Sequence, residues 1–261
     1  MYDKEFNIAS KAIKYVGKHI LKKNAVSKTE KGNFDYFTDK DIESETYLIN
    51  KIKQHFPSDN FLTEENNSNN QLLDRTWVID PIDGTHNFMN NLPIFCVQLA
   101  FFAKGEAQFS IIYLPRQNEF YYAKKGQGAY LNKQLLKINP NLDEKSILVN
   151  ADFLKPKELM QLNFDIMLKI RENCVSFRDI GSYGCECAYL ACGYYGVFFL
   201  VNYIIKPWDS MPGELLCKEA GAISKFEVYK DINYHVIAIN EKLCDKMEKI
   251  IKECIDKKIH K

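Results

Sequence analysis

The strongest constraint on the fold lies in residues 77–88, which read WVIDPIDGTHNF. Three apolar residues lead to Asp80, and a second carboxylate follows at Asp83, just before a Gly-Thr pair. Pro81 has no amide hydrogen, so we expect it to end the hydrogen-bond ladder of the strand. The Gly-Thr pair predicts a helix start, whose free N–H groups and positive dipole end favour phosphate. The run therefore predicts a buried strand that delivers two carboxylates beside an anion-binding turn.

Two carboxylates at one place indicate a cation. Their mutual repulsion is about 1 kcal/mol in water and several-fold more at a partly buried site. Mg²⁺ would remove it, because this ion takes oxygen ligands from a few carboxylates together with substrate phosphate. Aspartyl-nucleophile phosphatases need two aspartates two residues apart, whereas Asp80 and Asp83 are three apart with a proline between them. On these residues alone, a plain turn with a solvated Asp80 stays open as the alternative.

Three further acidic features occur elsewhere in the chain. Glu64 and Glu65 come directly after Phe61–Leu62, and Asp209 stands in the stretch KPWDSMPGE. Asp35 precedes Thr38 in the stretch DYFTDKD. Each feature alone is more often a solvated charge, but together they favour a metal site over a turn.

Composition excludes several classes of function. The chain has 261 residues, of which 46% are hydrophobic and 13% aromatic, so we do not expect it to be mainly disordered. Lys and Arg (35) balance Asp and Glu (34), which gives no field or basic stripe for nucleic acid. The longest apolar run, residues 193–205, is too short to cross a bilayer and predicts a buried strand. We therefore expect neither a nucleic-acid partner nor a membrane span.

The cysteines and the N-terminus indicate a cytoplasmic protein. The first 23 residues carry charge throughout and show no cleavage site, so we expect no signal peptide. The eight cysteines then stay thiols in a reducing compartment. Cys185, Cys187 and Cys192 lie in the apolar stretch GCECAYLACG without a CxxC pair, which favours core cysteines over a metal cluster.

Hydrophobic periodicity predicts a mixed α/β fold. The middle third has paired strand patterns with Gly turns, which indicate an antiparallel sheet. After residue 139, strand and helix patterns alternate, which indicates helices layered on a sheet. We expect an N-terminal α+β half at 1–140 and a C-terminal α/β half at 141–261, tightly packed, with a single domain as the alternative. The predicted helices are 5–22, 41–55, 156–171, 183–192 and 211–220, and the predicted strands are 61–62, 77–79, 95–102, 109–114, 118–132 (two strands around a Gly turn), 146–150, 174–178 and 197–201.

Three blocks together resemble one known family, the inositol-monophosphatase-like, Mg²⁺-dependent phosphatases. The blocks are Asp35-x-x-Thr38 through Glu64–Glu65, the run 77–88, and residues 208–221. Residues 126–132 and Gly181–Ser182 also fall where the family has similar residues. The resemblance spans about residues 5–225 and implies a layered αβαβα sandwich of the inositol monophosphatase and sugar phosphatase type.

The resemblance also implies the ligands of the metal. Glu64, Asp80 and the carbonyl of Ile82 would bind one Mg²⁺, and Asp80, Asp83 and Asp209 a second. The family pattern implies two or three ions in all and raises inhibition by lithium as a question for experiment. No cysteine, serine or histidine nucleophile is needed, because phosphoryl transfer asks mainly for positioning and charge neutralisation.

Catalytic and substrate-binding roles carry over in the same way. The Thr85 hydroxyl, oriented by Asp35, would position the attacking water, and Glu64 would help to deprotonate it. His86 is expected to be a bystander. Substrate contacts would come from the Gly84 and Thr85 amides and from Asp83, Arg178, Gly181, Ser182 and Asp209.

One departure from the family leaves the substrate open. Enzymes that act on inositol phosphates carry a glutamate before the Trp-Asp pair, but no acidic residue occurs between Glu186 and Asp209. Leu200 or Asn202 takes that place. The prediction is a cytoplasmic, homodimeric phosphomonoesterase acting on a small phosphorylated metabolite, with inositol 1-monophosphate as the default substrate. Alternatives are 3′-phosphoadenosine phosphate, NADP or fructose 1,6-bisphosphate, and, outside enzymes, a metal-binding regulatory relic.

Overall fold

The computed structural model describes residues 2–22, 27–32, 35–141, 147–153, 159–172, 174–202 and 205–259, without the side chains of residues 31, 32, 35, 152, 153 and 259. Within these ranges the chain forms seven helices and fourteen strands. None of the helices described is both long and apolar enough to span a membrane. The helices are α1 (Asp3–Ile20), α2 (Asp39–Lys53), α3 (Thr85–Met89), α4 (Met160–Arg171), α5 (Tyr183–Ala191), α6 (Pro207–Ala220) and α7 (Glu241–Ile259). The strands are β1 (Lys28–Gly32), β2 (Asp35–Thr38), β3 (Asn60–Thr63), β4 (Thr76–Asp83), β5 (Cys96–Ala103), β6 (Glu106–Leu114), β7 (Glu119–Lys124), β8 (Gly128–Leu131), β9 (Gln134–Leu136), β10 (Leu148–Phe153), β11 (Ser176–Arg178), β12 (Val197–Val201), β13 (Ile223–Tyr229) and β14 (Ile232–Ala238).

The chain groups into two compact units, each built from separate segments. The first unit holds Met1–Leu135, Gly181–Ala188 and Lys206–Glu219. The second holds Leu136–Ile180, Tyr189–Ile205 and Ala220–Lys261. Compact units and independently folding domains are different things, so the halves predicted on either side of residue 140 stay a prediction.

A seven-stranded sheet organises the first unit, in the order β3-β4-β5-β6-β7-β8-β9. β3 and β4 are parallel, and the neighbours from β4 to β8 are antiparallel, as the middle third predicted. The indole of Trp77 packs against Phe101 and Phe109 with ring centroids 4.7 and 5.8 Å apart. Each such buried side chain contributes about 1.5–3 kcal/mol. This core fixes β4, the strand that carries Asp80.

The beginning of α2 follows from its capping residues. Thr38 has an extended backbone and is the N-cap, and its hydroxyl accepts a hydrogen bond from the Lys40 amide. Asp41 closes the capping box, since its Oδ2 accepts from the Thr38 amide at 2.8 Å. Such a box satisfies helix N–H groups that would otherwise lack partners. The helix therefore begins at residue 39, two residues before its predicted start.

The expectation that Pro81 ends the ladder of β4 is wrong. The strand continues to Asp83, which pairs with Cys96 of β5. The regular register is broken only between Asp80 and Asp83. A bulge is one of the few places in a sheet where a residue without N–H is tolerated. The break therefore brings both aspartates to the same end of one strand.

A five-stranded sheet organises the second unit, in the order β11-β10-β12-β14-β13. β10 is parallel to β11 and β12, while β14 is antiparallel to both of its neighbours. The observed bounds of β12 equal the predicted ones, whereas the part of the helix 156–171 before residue 159 lies outside the described residues. The predicted elements end at residue 220 and therefore do not include β13, β14 and α7, although Leu243, Met247 and Ile251 have the spacing of one helix face.

The prediction of core cysteines is confirmed for Cys185 and Cys187, which are fully buried in α5. Cys192 follows the helix and is partly buried. All eight cysteines are free thiols. The six that are buried, Cys96, Cys185, Cys187, Cys217, Cys244 and Cys254, pack in the core as small side chains.

His235 of β14 gives a prediction about acid stability. Burial lowers the pKa of its imidazole to about 4, and Ser224 Oγ lies 2.7 Å from its Nε2. In the unfolded chain the His235 imidazole takes up a proton near pH 6.5, whereas in the folded chain it does so only near pH 4. The contribution of the neutral imidazole to the free energy of unfolding is therefore fully present above pH 6.5 and is lost as the pH falls towards 4. At pH 5 we expect a loss of about 2 kcal/mol in the free energy of unfolding.

Urea unfolding at pH 7 and pH 5 measures this difference. His235→Gln should lose the extra acid sensitivity, and the exposed His86→Gln should keep it. Equal pH dependence in His235→Gln and the wild type would contradict the assignment.

A candidate metal and phosphate site

Asp80 is the buried centre of the acidic residues. Its side chain lies at the end of β4 and is 1% exposed. Oδ1 accepts a hydrogen bond from the Ile82 amide at 3.0 Å, and Oδ2 accepts from Gln98 Nε2 at 3.3 Å. Register in the antiparallel pair places Gln98 of β5 directly opposite Asp80. The aspartate is therefore held by the backbone of its own strand and by one side chain of the next.

Asp83 is fixed by donors from another segment of the chain. Its Oδ2 accepts from Ser182 Oγ at 2.6 Å and from the Gly184 amide at 2.7 Å. The Cys96 thiol, on the neighbouring strand, donates to the same oxygen at 3.4 Å. Three donors on one oxygen leave the orientation of this carboxylate little freedom.

Asp209 enters from the first turn of α6. The helix begins at Pro207, four residues before the predicted start, because proline fits the first helical position. The Lys206 amide donates to Asp209 Oδ2 at 3.4 Å, and the Asp209 carbonyl accepts from Gln98 Nε2 at 3.3 Å. Gln98 thus contacts both Asp80 and Asp209.

Glu64 begins the loop after β3, and the buried Glu45 of α2 holds that loop. The Glu64 amide donates to the Ile79 carbonyl at 3.2 Å, which continues the β3–β4 pairing. Glu45 Oε2 accepts from the Glu65 amide, and its Oε1 accepts from the Asn66 amide, both at 2.9 Å. The polar stretch after Asn66 is a loop. Glu45 therefore fixes the backbone that carries Glu64.

The four carboxylates interact electrostatically. Burial raises the pKa of Asp80 well above its usual range, and the charges of Glu64, Asp83 and Asp209 raise it further. Burial, followed by Glu64 and Asp83, likewise raises the pKa of Asp209. Burial raises the pKa of Asp83 too, against the hydrogen bond from Ser182. Removing this mutual repulsion requires protons or a cation.

The donors fit a hard divalent cation, since all four are carboxylates and the Ile82 carbonyl is close by in the chain. Among the residues that the structure describes, no three His, Cys, Asp or Glu side chains stand close enough together to enclose an ion by themselves. Mg²⁺ does not need such a cage, because it keeps several waters and takes one or two carboxylates with substrate phosphate. The donor chemistry therefore suits Mg²⁺ better than a thiolate- or imidazole-binding metal.

The Gly-Thr turn lies directly after Asp83. Gly84 has φ +87°, and a Cβ on it would lie 3.1 Å from the Ile94 carbonyl oxygen and 3.0 Å from the Ser182 Cβ. Only glycine meets both demands. Its carbonyl accepts from the Phe88 amide at 3.0 Å as α3 begins. Thr85 Oγ1 donates to the Ile82 carbonyl at 3.0 Å, so its lone pairs stay available to accept.

The other residues considered for the site have varied surroundings. Ser182 is buried against Asp83, and Gly181, next to it, has φ +64°. Arg178 belongs to the second unit, where its guanidinium is exposed and donates to the Phe177 carbonyl. The Asp35 side chain lies outside the described residues. His86 is exposed and meets the Tyr36 ring edge-on at 5.6 Å.

Sequence reasoning missed Gln98, Cys96, Gly184 and Glu45. Gln98 left a signal, because it is the single strongly polar residue of the strand CVQLAFFA. Glu45 left none, since a glutamate at the middle of a helix normally faces solvent. The contacts of all four depend on which segments meet, and local patterns do not contain that information.

Comparisons with known proteins define the class of this fold. The Thermotoga maritima IMPase has a TM-score of 0.84 at 26% identity, covering 99% of this chain and 100% of its own. The inositol monophosphatase of Anabaena (Nostoc) sp. PCC 7120 has a TM-score of 0.80 at 24% identity, covering 97% of each chain. The predicted fold class, a mixed α/β fold of the inositol monophosphatase type, is confirmed.

Sequence similarity then gives the family. The model of the inositol monophosphatase family matches residues 1–252. The protein called Nus factor SuhB from Escherichia coli K12 is 36% identical over 223 residues, 83% of each chain. The protein of the same name from Vibrio cholerae is 34% identical over 223 residues, again 83% of each. The chain belongs to the inositol monophosphatase family, which is generally Mg²⁺-dependent.

Proposed function

We propose that the chain is a Mg²⁺-dependent phosphomonoesterase that hydrolyses a small phosphate ester. The observation that carries the proposal is the buried Asp80 among three further carboxylates, beside the Gly84–Thr85 turn. Excess negative charge in a buried place has a cost in stability, and such costs concentrate at functional sites. Family membership supports the reaction class.

The proposed roles follow the family pattern residue by residue. Glu64, Asp80 and the Ile82 carbonyl would hold one ion, and Asp80, Asp83 and Asp209 a second. The Gly84 and Thr85 amides would bind phosphate. Asp35 would orient Thr85, and Arg178, Gly181 and Ser182 would belong to the substrate side, with Ser182 acting through Asp83, which its hydroxyl contacts.

The chemistry requires no covalent intermediate on a side chain. When bound, Mg²⁺ lowers the pKa of water and neutralises charge on the transferring phosphate. Thr85 Oγ1 gives its hydrogen to the Ile82 carbonyl and can therefore accept one from the attacking water. Glu64 would take up the proton of that water. Ser182 and Gly184 keep Asp83 in one orientation throughout.

Release of inorganic phosphate tests the proposal. The purified protein should release phosphate from at least one member of a panel of inositol, sugar, 3′-nucleotide and dinucleotide phosphates. Release should need Mg²⁺ and stop in excess EDTA. The name Nus factor of the curated relatives favours a second candidate, a regulatory role for the fold. No release from any member, with a Mg²⁺-induced rise in melting temperature, would favour that role.

Substrate preference is expected to be broad. Leu200 in β12 is apolar and gives a substrate hydroxyl no acceptor, so Asn202 at the strand end is the polar candidate for the place of the family's glutamate. A site without a partner for one particular hydroxyl discriminates weakly. We expect kcat/KM for inositol 1-monophosphate within about tenfold of other small esters, that is within about 1.4 kcal/mol.

Asn202→Glu should shift preference towards inositol, despite a small strain at its φ of +55°. Asn233→Glu is the matched control. A preference of several hundredfold for inositol phosphate in the unmodified protein would contradict the idea. Of the three tyrosines at positions 183, 194 and 195, Tyr183 and Tyr195 are buried and Tyr194 is exposed.

A homodimer in the cytoplasm completes the proposal. Eight free thiols support a reducing compartment. The family resemblance supports the dimer. Light scattering during gel filtration would measure the oligomer, and a monomer at micromolar concentration would contradict it.

A further inference from the structure

Gln98 is a fully buried polar residue in an otherwise apolar strand. Its side chain is 0% exposed, between Val97 and Leu99, which are also fully buried. Burying an amide without compensating hydrogen bonds costs about 1–3 kcal/mol in proteins. An apolar side chain of the same length would avoid that cost. The residue is therefore best explained by what its amide contacts.

The amide nitrogen joins two of the proposed metal ligands. Nε2 donates to Asp80 Oδ2 and to the Asp209 backbone carbonyl, each at 3.3 Å. The two acceptors lie on β4 and on the first turn of α6. Both are oxygen atoms, so only the NH₂ end of the amide can face them, and the orientation of Gln98 is fixed.

The other end of the amide is held by close packing. Oε1 is buried without a hydrogen-bond partner among the described residues. A Cβ on Gly184 would lie 2.6 Å from this oxygen, 2.6 Å from Cys96 Sγ and 3.0 Å from Asp83 Oδ2. The backbone of Gly184 therefore fills the space beside Gln98 and Cys96. An unmade hydrogen bond at Oε1 lowers stability, which argues against a purely structural reason for the glutamine.

We infer that Gln98 is a positioning residue that sets the affinity for Mg²⁺ by holding Asp80 and Asp209 at a fixed spacing. The inference rests on the proposed function. The carboxylates around Asp80 repel one another, so an unsupported Asp80 would turn away from its neighbours in the metal-free protein. A neutral donor opposes that movement without adding a charge. Binding of the ion then requires less rearrangement than it would without this donor.

A Mg²⁺ titration of the metal-free protein, followed by thermal unfolding, tests this role. Gln98→Met keeps the length of the side chain and removes the donor. Gln108→Met is the matched control, because Gln108 of β6 donates to the Ala103 carbonyl in the same sheet. We expect the Mg²⁺ concentration for half-maximal stabilisation to rise about tenfold in Gln98→Met, which equals about 1.4 kcal/mol. In Gln108→Met it should stay unchanged.

Kinetics give an independent second readout. The Mg²⁺ concentration for half-maximal activity should rise by the same factor in Gln98→Met, while kcat at saturating Mg²⁺ stays near that of the wild type. If Gln98→Met does not fold, Gln98→Asn is the second variant. Its shorter side chain keeps the amide but moves it away from Asp80 and Asp209, and the Mg²⁺ concentration for half-maximal activity should rise by a smaller factor. A lower melting temperature with an unchanged Mg²⁺ midpoint would overturn the inference and leave the proposed function intact. No Mg²⁺-induced stabilisation of the wild type would overturn both.

Discussion

Asp83→Asn should reduce Mg²⁺-dependent phosphate release by about a hundredfold or more. Asp83 Oδ2 already accepts from Ser182 and from the Gly184 amide. An asparagine must turn its oxygen towards those donors, which puts its NH₂ group where the second carboxylate oxygen was. An NH₂ group cannot bind a cation, and defects around a metal site already cost about 10–100-fold when only supporting residues change. Asp209→Asn should show a loss of the same order.

Thermal unfolding in EDTA separates this effect from misfolding. Removing one carboxylate from the repelling group should leave the metal-free variant at least as stable as the wild type. The surface variant Asp74→Asn, whose carboxylate accepts from the Lys104 amide, should keep full activity. Wild-type rates in Asp83→Asn, or full activity of the unmodified protein in excess chelator, would refute the metal assignment.

Thr85→Ala should lower kcat by about a hundredfold and leave KM nearly unchanged. Loss of a group that positions the nucleophile is felt mainly in the transition state, and a misplacement of about 1 Å can cost about 10² in rate. The amide of residue 85, the proposed phosphate contact, remains in the variant. Asp35→Asn should act in the same direction but more mildly.

Thr85→Ser is the matched control, since it keeps the hydroxyl that donates to the Ile82 carbonyl. It should retain most of the wild-type kcat. Steady-state kinetics on the best substrate of the panel measure both parameters. A large rise in KM with kcat intact would assign Thr85 to binding and remove its role in positioning water.

Local patterns predicted the elements that carry the site better than the contacts within it. The continuous apolar run at 197–201 gave the bounds of β12, and the helical spacing of apolar residues gave α2 to within two residues of its start. Both signals depend on neighbouring residues alone. The partners of Asp83 could not be predicted in this way, because Ser182 and Gly184 lie 99 and 101 positions further along the chain. Nor could Gln98, whose two acceptors are 18 and 111 positions away.

The errors in the predicted ends of strands and helices also have physical causes. Pro81 does not end β4, because a bulge accommodates it. Before α6, Pro207 marks the helix start, which the predicted start at residue 211 overlooked. The meaning of a proline depends on whether its missing N–H was needed, and that is a property of the tertiary structure.

The discontinuity of the first unit has a consequence for biosynthesis. Residues up to Leu135 contain Asp80 and Asp83, but the segments Gly181–Ala188 and Lys206–Glu219 complete the unit. A nascent chain of 135 residues thus holds the two aspartates without Ser182, Gly184 or Asp209. Closing loops of this length is slow, because the entropy loss precedes the contacts that compensate it. We therefore expect the acidic centre to assemble late, after synthesis has passed α6, and ribosome-bound chains stalled before residue 206 to lack the Mg²⁺-dependent protection from proteolysis that the finished protein should show.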